Sequence, residues 1–345
     1  MSTNLETGRP AGRLGANRWN GTHAVVTQAR DSRTPALLIG AGAVLLAVLP
    51  YLGAPPFTIT LLTEALIFAI WAMSLDLLVG YTGLVTFGHA AAFGLGSYAA
   101  GYFAREVTAD FFAALLVAEA VVVGVAVTIG FVVTRVSGVA FAIISLCIAQ
   151  VLFQIAVAWR PVTEGMDGLV GVPLPKLFGS TINAGTEFYL LTIVVLVAVY
   201  AGLSRLVDSP FGRTLQAIRT NEDRAAAIGI NVRLHKWIAF IVSWGVAGIG
   251  GTLMVFMKAG TTPLSLHWTE SGNVLVMAIF GGLGTLFGPL IGALAFVFLR
   301  DEFTTRFETW QLAFGLVFVI VVLAFPSGLA GILTRVWRGL WPARS

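Results

Sequence analysis

The sequence predicts an all-α, polytopic transmembrane bundle of about ten helices, some broken by glycines. Three observations predict it. Of the 345 residues, 57% are hydrophobic, and the mean hydropathy is +0.88. Only 11% are charged, well under the roughly 25% of soluble domains. The apolar residues also fall in unalternating runs close to the length a bilayer requires, unlike the period-two strands of a membrane barrel. Lipid offers no partner to an open backbone, so the spanning segments are expected to be helical.

The elements follow in order. Residues 1–34 form a polar tail with Arg9, Arg13, Arg18, Arg30 and Arg33. The apolar run after it is too long for a signal peptide core, so the tail reads as cytosolic before a retained helix. Helices are expected near 35–54, 58–79, 88–104, 111–134, 138–159, 187–204, 237–257, 271–285, 288–300 and 311–333. They make up one transmembrane domain, 35–333, interrupted by a long polar loop at 205–236. A basic tail, 334–345, ends the chain.

Charge distribution orients these elements. With the N-terminus inside, the inner segments hold 15 of the 21 Lys and Arg. The outer loops hold Arg105, Arg160, Lys176, Lys258, Arg300 and Arg306. Reading 271–300 as one helix would send Arg335, Arg338 and Arg344 outside, so the even count is preferred and both termini are cytoplasmic. Trp159, Trp237, Trp268, Trp310, Trp337 and Trp341 flank the helices, as interfacial aromatics do. The net charge of +4 fits loops facing anionic lipid; without a basic helix or aromatic-interleaved patch, no nucleic-acid partner is expected. The lone Cys147 lies in an apolar run and is read as a small buried hydrophobe.

Two stretches depart from simple spans. Residues 271–299 carry no charge and are too long for one upright helix and short for two. Residues 80–96 are also glycine-rich. Each holds a related phrase, Gly83-Leu84-Val85-Thr86-Phe87-Gly88 and Gly282-Leu283-Gly284-Thr285-Leu286-Phe287-Gly288. Paired glycine-interrupted segments mark substrate sites in many transporters, because a broken helix exposes backbone polar groups that only a protein-lined path satisfies. Thr86, Gly88, His89, Gly282, Gly284 and Thr285 are therefore path candidates. Close helix packing by small residues is the alternative. Gln150 and Gln154, at i and i+4 of one helix, either line a polar path or join helices. Charged groups inside the bilayer are costly, which singles out Glu64 near the outer end, Glu119 deeper in, and Asp76 at the inner boundary. Glu119 is left with three options: a paired neighbour, protonation, or an interface.

The loop 205–236 contains its own helix signals. Ser209-Pro210 can start one helix and Asn221 can cap another, with Glu222 and Asp223 in its first turn. Ala225, Ala226 and Ala227 favour helix, and Gly229 can end it. A short helix with a smooth alanine surface fits a groove on a partner, or is an ordinary amphipathic surface helix.

This segment resembles the cytoplasmic EAA loop of ABC importer permeases, in the variant of the LivM-type branched-chain amino acid permeases. The matching positions are Glu222, Ala225, Ala226 and Gly229. Residues 83–98, Thr163-Glu164-Gly165-Met166-Asp167-Gly168-Leu169, and Ser271-Gly272 through Thr285 resemble three further signatures of that family, in order. The resemblance implies an all-helical subunit of a bacterial-type plasma (inner) membrane. It further implies a second, LivH-like permease, two cytosolic ABC ATPases that bind ATP and Mg, and an extracytoplasmic substrate-binding protein. Glu222, Ala225, Ala226 and Gly229 would then couple the ATPases to the path.

The residues themselves are consistent with a chain that hydrolyses nothing. None of Lys176, Lys236 and Lys258 follows a glycine, so no P-loop exists. His23, His89, His235 and His267 form no H-E-x-x-H pattern, and no nucleophile–base set is specified. A permease for another small solute such as urea, and a stand-alone secondary transporter or channel, remain the alternatives.

Overall fold

The computed structural model describes residues 33–183, 185–306, 309, 312, 315, 316, 319 and 328–331. The expected helix 311–333 falls mostly outside the described residues, as do the two tails and Trp310, Trp337 and Trp341.

The architecture is helical. In order it comprises α1 (Arg33–Val48), α2 (Pro56–Asp76), α3 (His89–Glu106), α4 (Phe111–Val133), α5 (Gly138–Ala158), α6 (Thr186–Asp208), α7 (Pro210–Thr220), α8 (Glu222–Ala227), α9 (Val232–Lys258), α10 (Trp268–Gly281) and α11 (Phe287–Arg306). Among the described residues, five spans are long and apolar enough to cross a membrane: 56–82, 111–133, 138–158, 186–208 and 232–258. The chain is thus an all-α membrane protein.

α2 occupies the centre. It packs against α6, α9, α10 and α11, and α9 in turn packs on α3 and α4. α2 is apolar on all sides, and residues 65–78 are almost completely buried. A helix with no polar face suits such enclosure. α4, α5 and α6 line the edge and leave most of their apolar surface uncovered. Cys147 lies on such an open side of α5 and is exposed, contrary to expectation. Its apolar surroundings are those of a peripheral helix, which the local sequence does not distinguish from a central one.

The helix starts follow their caps. Asp110 accepts from the Ala113 amide at 2.9 Å to begin α4. Pro210 occupies the first turn of α7 after Ser209. Asn231 accepts from the Leu234 amide at 3.1 Å, so α9 begins five residues before the apolar run does, at Val232 instead of 237. The charged turn is helical because it is capped, although it is not apolar.

Connections alternate between two ends. One end gathers the links 77–88, 134–137, 209–231 and 282–286. The other gathers 107–110, 159–185 and 259–267. There the phrase 163–169 forms a stitched cap. Thr163 donates to the Ala156 carbonyl at 2.5 Å, Glu164 pairs with Arg105 at 2.6 Å, and Leu169–Val170 forms an antiparallel ladder with Gly260–Thr261. The Arg105 guanidinium is held above its ordinary pKa by its hydrogen bonds to Glu164 and Glu106. Near this end Glu64 of α2 meets Lys258 of α9 at 3.3 Å and Arg300 of α11 at 3.0 Å. Its charge is satisfied by protein and does not depend on interfacial water alone.

Candidate functional site

The two glycine phrases lie at the same end of the bundle. After Asp76, α2 widens into a π-turn, Leu77–Thr82, and the chain then reverses at Gly83 with φ 76°. π-turns inside helices often occur at functional breaks. α10 ends at Gly281, and Gly282 and Gly284 take φ 111° and 79° before α11 begins. The uncharged stretch is therefore two helices joined by a turn.

Threonines close the breaks in parallel ways. Thr86 Oγ1 accepts from the Gly88 amide at 3.0 Å, and Thr285 Oγ1 accepts from the Gly288 amide at 2.9 Å. Each satisfies a donor that the start of α3 or α11 would leave open. The short likeness in sequence is thus also a likeness in backbone function.

Asp76 joins the breaks. It is completely buried, and its two carboxylate oxygens accept from the amides of Gly284 at 2.7 Å and Leu286 at 3.3 Å. Gly80 makes this possible: an added Cβ would overlap the Asp76 carboxylate and stand 2.5 Å from the Gly284 nitrogen. Over the same junction lies Arg219, from the last turn of α7, whose guanidinium donates to the Gly80 carbonyl. A methyl at Gly83 would stand 3.3 Å from the Arg219 side chain, and one at Gly284 3.3 Å from its Nη1. Arg219 also attracts the Asp76 carboxylate. One residue of the polar loop thus touches both helix breaks.

The start of α3 is held by hydroxyls of α2, α5 and α10, and one from α9 braces the first of these. Ser74 spends its proton on the Trp71 carbonyl at 2.6 Å, so His89 Nε2, 2.7 Å away, is the donor to Ser74 Oγ. Ser243 of α9 donates to the Ser74 carbonyl at 2.5 Å. Ser271 of α10 accepts from the Ala90 amide at 2.8 Å, and Ser145 of α5 accepts from the Phe87 amide at 3.1 Å. His89 is fully buried, and its Nδ1 has no hydrogen-bond partner among the described residues.

The polar loop is anchored a second time. Glu222 pairs with Lys236 of α9 at 2.5 Å, and Ser137, in the α4–α5 turn, accepts from Lys236 at 2.7 Å and donates to Glu222 at 3.0 Å. Asn221 caps α8 through the Arg224 amide at 2.8 Å. Ala225 faces inward and is buried, whereas Ala226, Ala227 and Ile228 are exposed. The smooth outer surface therefore excludes Ala225, the packing side of a six-residue helix. Gly229 terminates it with φ 90° and open space where a side chain would be.

Not every path candidate comes together. Thr86 bonds Gly88, which lies against Ser145 of α5, and His89 bonds Ser74 of α2; the amides of Gly284 and Thr285 meet Asp76 at the end of α2, whereas the Gly282 carbonyl lies against Gly288. Gln150 and Gln154 lie about 7 and 13 Å further along α5 than Ser145, away from the breaks. Gln150 is half-buried with an Oε1 that has no hydrogen-bond partner among the described residues, and Gln154 is exposed. Glu119 lies against Gly245 and Gly248 of α9, where a methyl at Gly248 would stand 2.8 Å from its Oε1; that oxygen has no hydrogen-bond partner among the described residues. Sequence reasoning noted Asp76 only as a boundary residue and assigned no role to Arg219, Lys236, Ser74, Ser145 or Ser243. The one signal available was an acid that a bilayer-facing helix would not tolerate.

A buried central helix, two broken helices meeting at one end, and a polar loop clamped over their junction describe a helical transport subunit. The family model described as "Branched-chain amino acid transport system / permease component" matches residues 57–325, and the chain belongs to that family. It is 25% identical over 295 residues to the high-affinity branched-chain amino acid transport system permease protein LivM of Escherichia coli, covering 79% of this chain and 69% of that one. It is 26% identical over 210 residues to a probable LivH permease of Methanocaldococcus jannaschii, covering 53% and 64%. A ribose import permease, RbsC, of Haemophilus influenzae is 27% identical over 175 residues, covering 48% and 52%. No solved structure matches.

Proposed function

We propose that this chain is the LivM-type permease subunit of an ABC importer and forms part of the path for branched-chain amino acids across the inner membrane. Its partners in this reading are a second, LivH-like permease, two cytosolic ATPases that bind ATP and Mg, and an extracytoplasmic binding protein. Ten helices would span the bilayer, the tenth at 311–333, with both termini and the 205–236 loop cytoplasmic. Glu222, Ala225, Ala226 and Gly229 would form the ATPase-coupling region. The chain would hydrolyse no ATP itself.

One observation carries the mechanism. Arg219 touches the breaks after α2 and after α10, while Glu222, three residues on, is tied to α9 and the α4–α5 turn. A push on α8 would reach two broken helices and two intact ones through side chains already in contact. The neutral hydroxyls of Ser74, Ser145 and Ser271 around the start of α3 suit a zwitterion, since fixed charges hold a solute too tightly to release it.

The test is reconstitution with the neighbouring subunits in liposomes, with uptake of labelled leucine and of labelled urea measured beside ATP hydrolysis. ATP-dependent leucine uptake supports the reading. ATP-dependent urea uptake without leucine uptake would replace the substrate. Uptake by the isolated chain without ATPases would replace the class.

A further inference from the structure

Where α4 meets the start of α9, two arginines converge on one aromatic ring. The guanidinium carbons of Arg135 and Arg233 stand 4.7 and 4.6 Å from the centroid of Phe131. Arg233 also donates to the Phe131 carbonyl at 3.3 Å. Trp237 packs edge-on against the same ring, 6.0 Å between centroids, and its indole donates to the Val127 carbonyl at 3.0 Å. A surface pocket lined by Phe131, Asn231, Arg233, Leu234 and Trp237 opens here.

The charge is unbalanced. Neither guanidinium has a carboxylate partner among the described residues; the neighbouring Lys236 has one in Glu222. Two like charges held on one ring repel unless an anion lies between or beside them. Planar guanidiniums bind phosphate oxygens through paired donors, which suits them to that role. Above the pocket, α4 exposes Val127, Phe131 and Val132 as an apolar strip. A tryptophan at the polar boundary beside such a strip marks the headgroup level.

We infer that Arg135 and Arg233 hold the phosphate of an anionic glycerophospholipid beside the Trp237 ring, with its acyl chains along the Val127–Val132 face of α4. Basic pockets between helices at the cytoplasmic boundary bind such headgroups. The strip argues for a lipid over free phosphate, because a free ion would have no use for it. The site does not depend on which solute the chain carries.

The test uses the full-length chain in a mild detergent, titrated with phosphatidylglycerol or phosphatidylcholine and read by native mass spectrometry. Retention of phosphatidylglycerol over phosphatidylcholine is expected. R135Q/R233Q should weaken it roughly thirtyfold and each single variant about fivefold. Millimolar inorganic phosphate should leave the bound lipid in place. Brominated phosphatidylglycerol should quench tryptophan emission in the unaltered chain, and Trp237→Phe should remove most of that quenching, which gives a readout should the double variant fold poorly. Equal retention of both lipids, undiminished phosphatidylglycerol in a folded R135Q/R233Q chain, or displacement by phosphate would overturn the proposal. Loss of the ATPases from R135Q/R233Q with lipid retention unchanged would overturn it too, and would assign the pocket to a protein contact.

Discussion

The Asp76 carboxylate accepts the Gly284 amide at 2.7 Å, binding the end of one helix to the turn after another across 208 residues of chain. Because Asp76 is fully buried, the turn at 282–286 has no water to fall back on at those amides.

Removing this acceptor should loosen the turn. Asp76→Asn keeps one oxygen and loses the charge, and a hydrogen bond to a charged group is worth about 1.5–3 kcal/mol. The variant should unfold at lower temperature in detergent and transport poorly when reconstituted. A melting temperature equal to that of the unaltered chain would show that the turn does not rely on Asp76.

Gly80 has no room for a side chain. Gly80→Ala should push Asp76 and the 284 turn apart at a cost of about 1–3 kcal/mol, the usual range for overpacking. Gly124→Ala, within α4 and with open space around the position, is the matched control. Similar losses of uptake in both would count against a role for the Gly80 contact.

Arg219 tests coupling directly. Arg219→Gln keeps a donor and removes the charge over Asp76 and Gly80. Uptake by the reconstituted importer should fall about tenfold or more, in line with the worth of a charged hydrogen bond, while basal ATP hydrolysis persists. Parallel loss of both rates with the protein intact would instead mark Arg219 as part of the ATPase contact.

Gly229 separates backbone from bulk. Its φ of 90° is one that residues with a Cβ rarely adopt, at a cost of about 1–2 kcal/mol, and Asn tolerates it best. Gly229→Asn should retain much of the uptake, and Gly229→Val should hydrolyse ATP without transport. Normal uptake by the valine variant would remove this region from the coupling path.

The Glu222–Lys236 pair should behave as a unit. A cycle of Glu222→Gln, Lys236→Met and the double variant should give a coupling energy of about 0.5–3 kcal/mol by thermal unfolding in detergent. Glu222 is partly solvated, which keeps the value below that of a wholly buried pair. Strict additivity would mean that the contact contributes nothing.

Much of the helical pattern was legible in the sequence. Nine of the apolar runs correspond to helices, and the caps at Ser209, Asn221 and the turn at Gly229 stand where the residue types place them, because capping depends on neighbours one to three residues away. The burial of Cys147 was misjudged, since a run of apolar residues looks alike whether it faces protein or an open side. Lys236, nearly fully buried, looked like an ordinary loop charge until Glu222 and Ser137 were brought to it.

By itself, then, the amino-acid order determined that the chain is a helical membrane protein, where its helices break, and which loop carries the basic charge. These follow from solvation and local hydrogen bonding. Only the tertiary structure decided that Asp76, Gly80, Arg219 and Gly284 share one junction and that the glutamines of α5 lie apart from it. Contacts between residues far apart in the chain depend on how helices pack, and helix packing leaves no local trace in sequence.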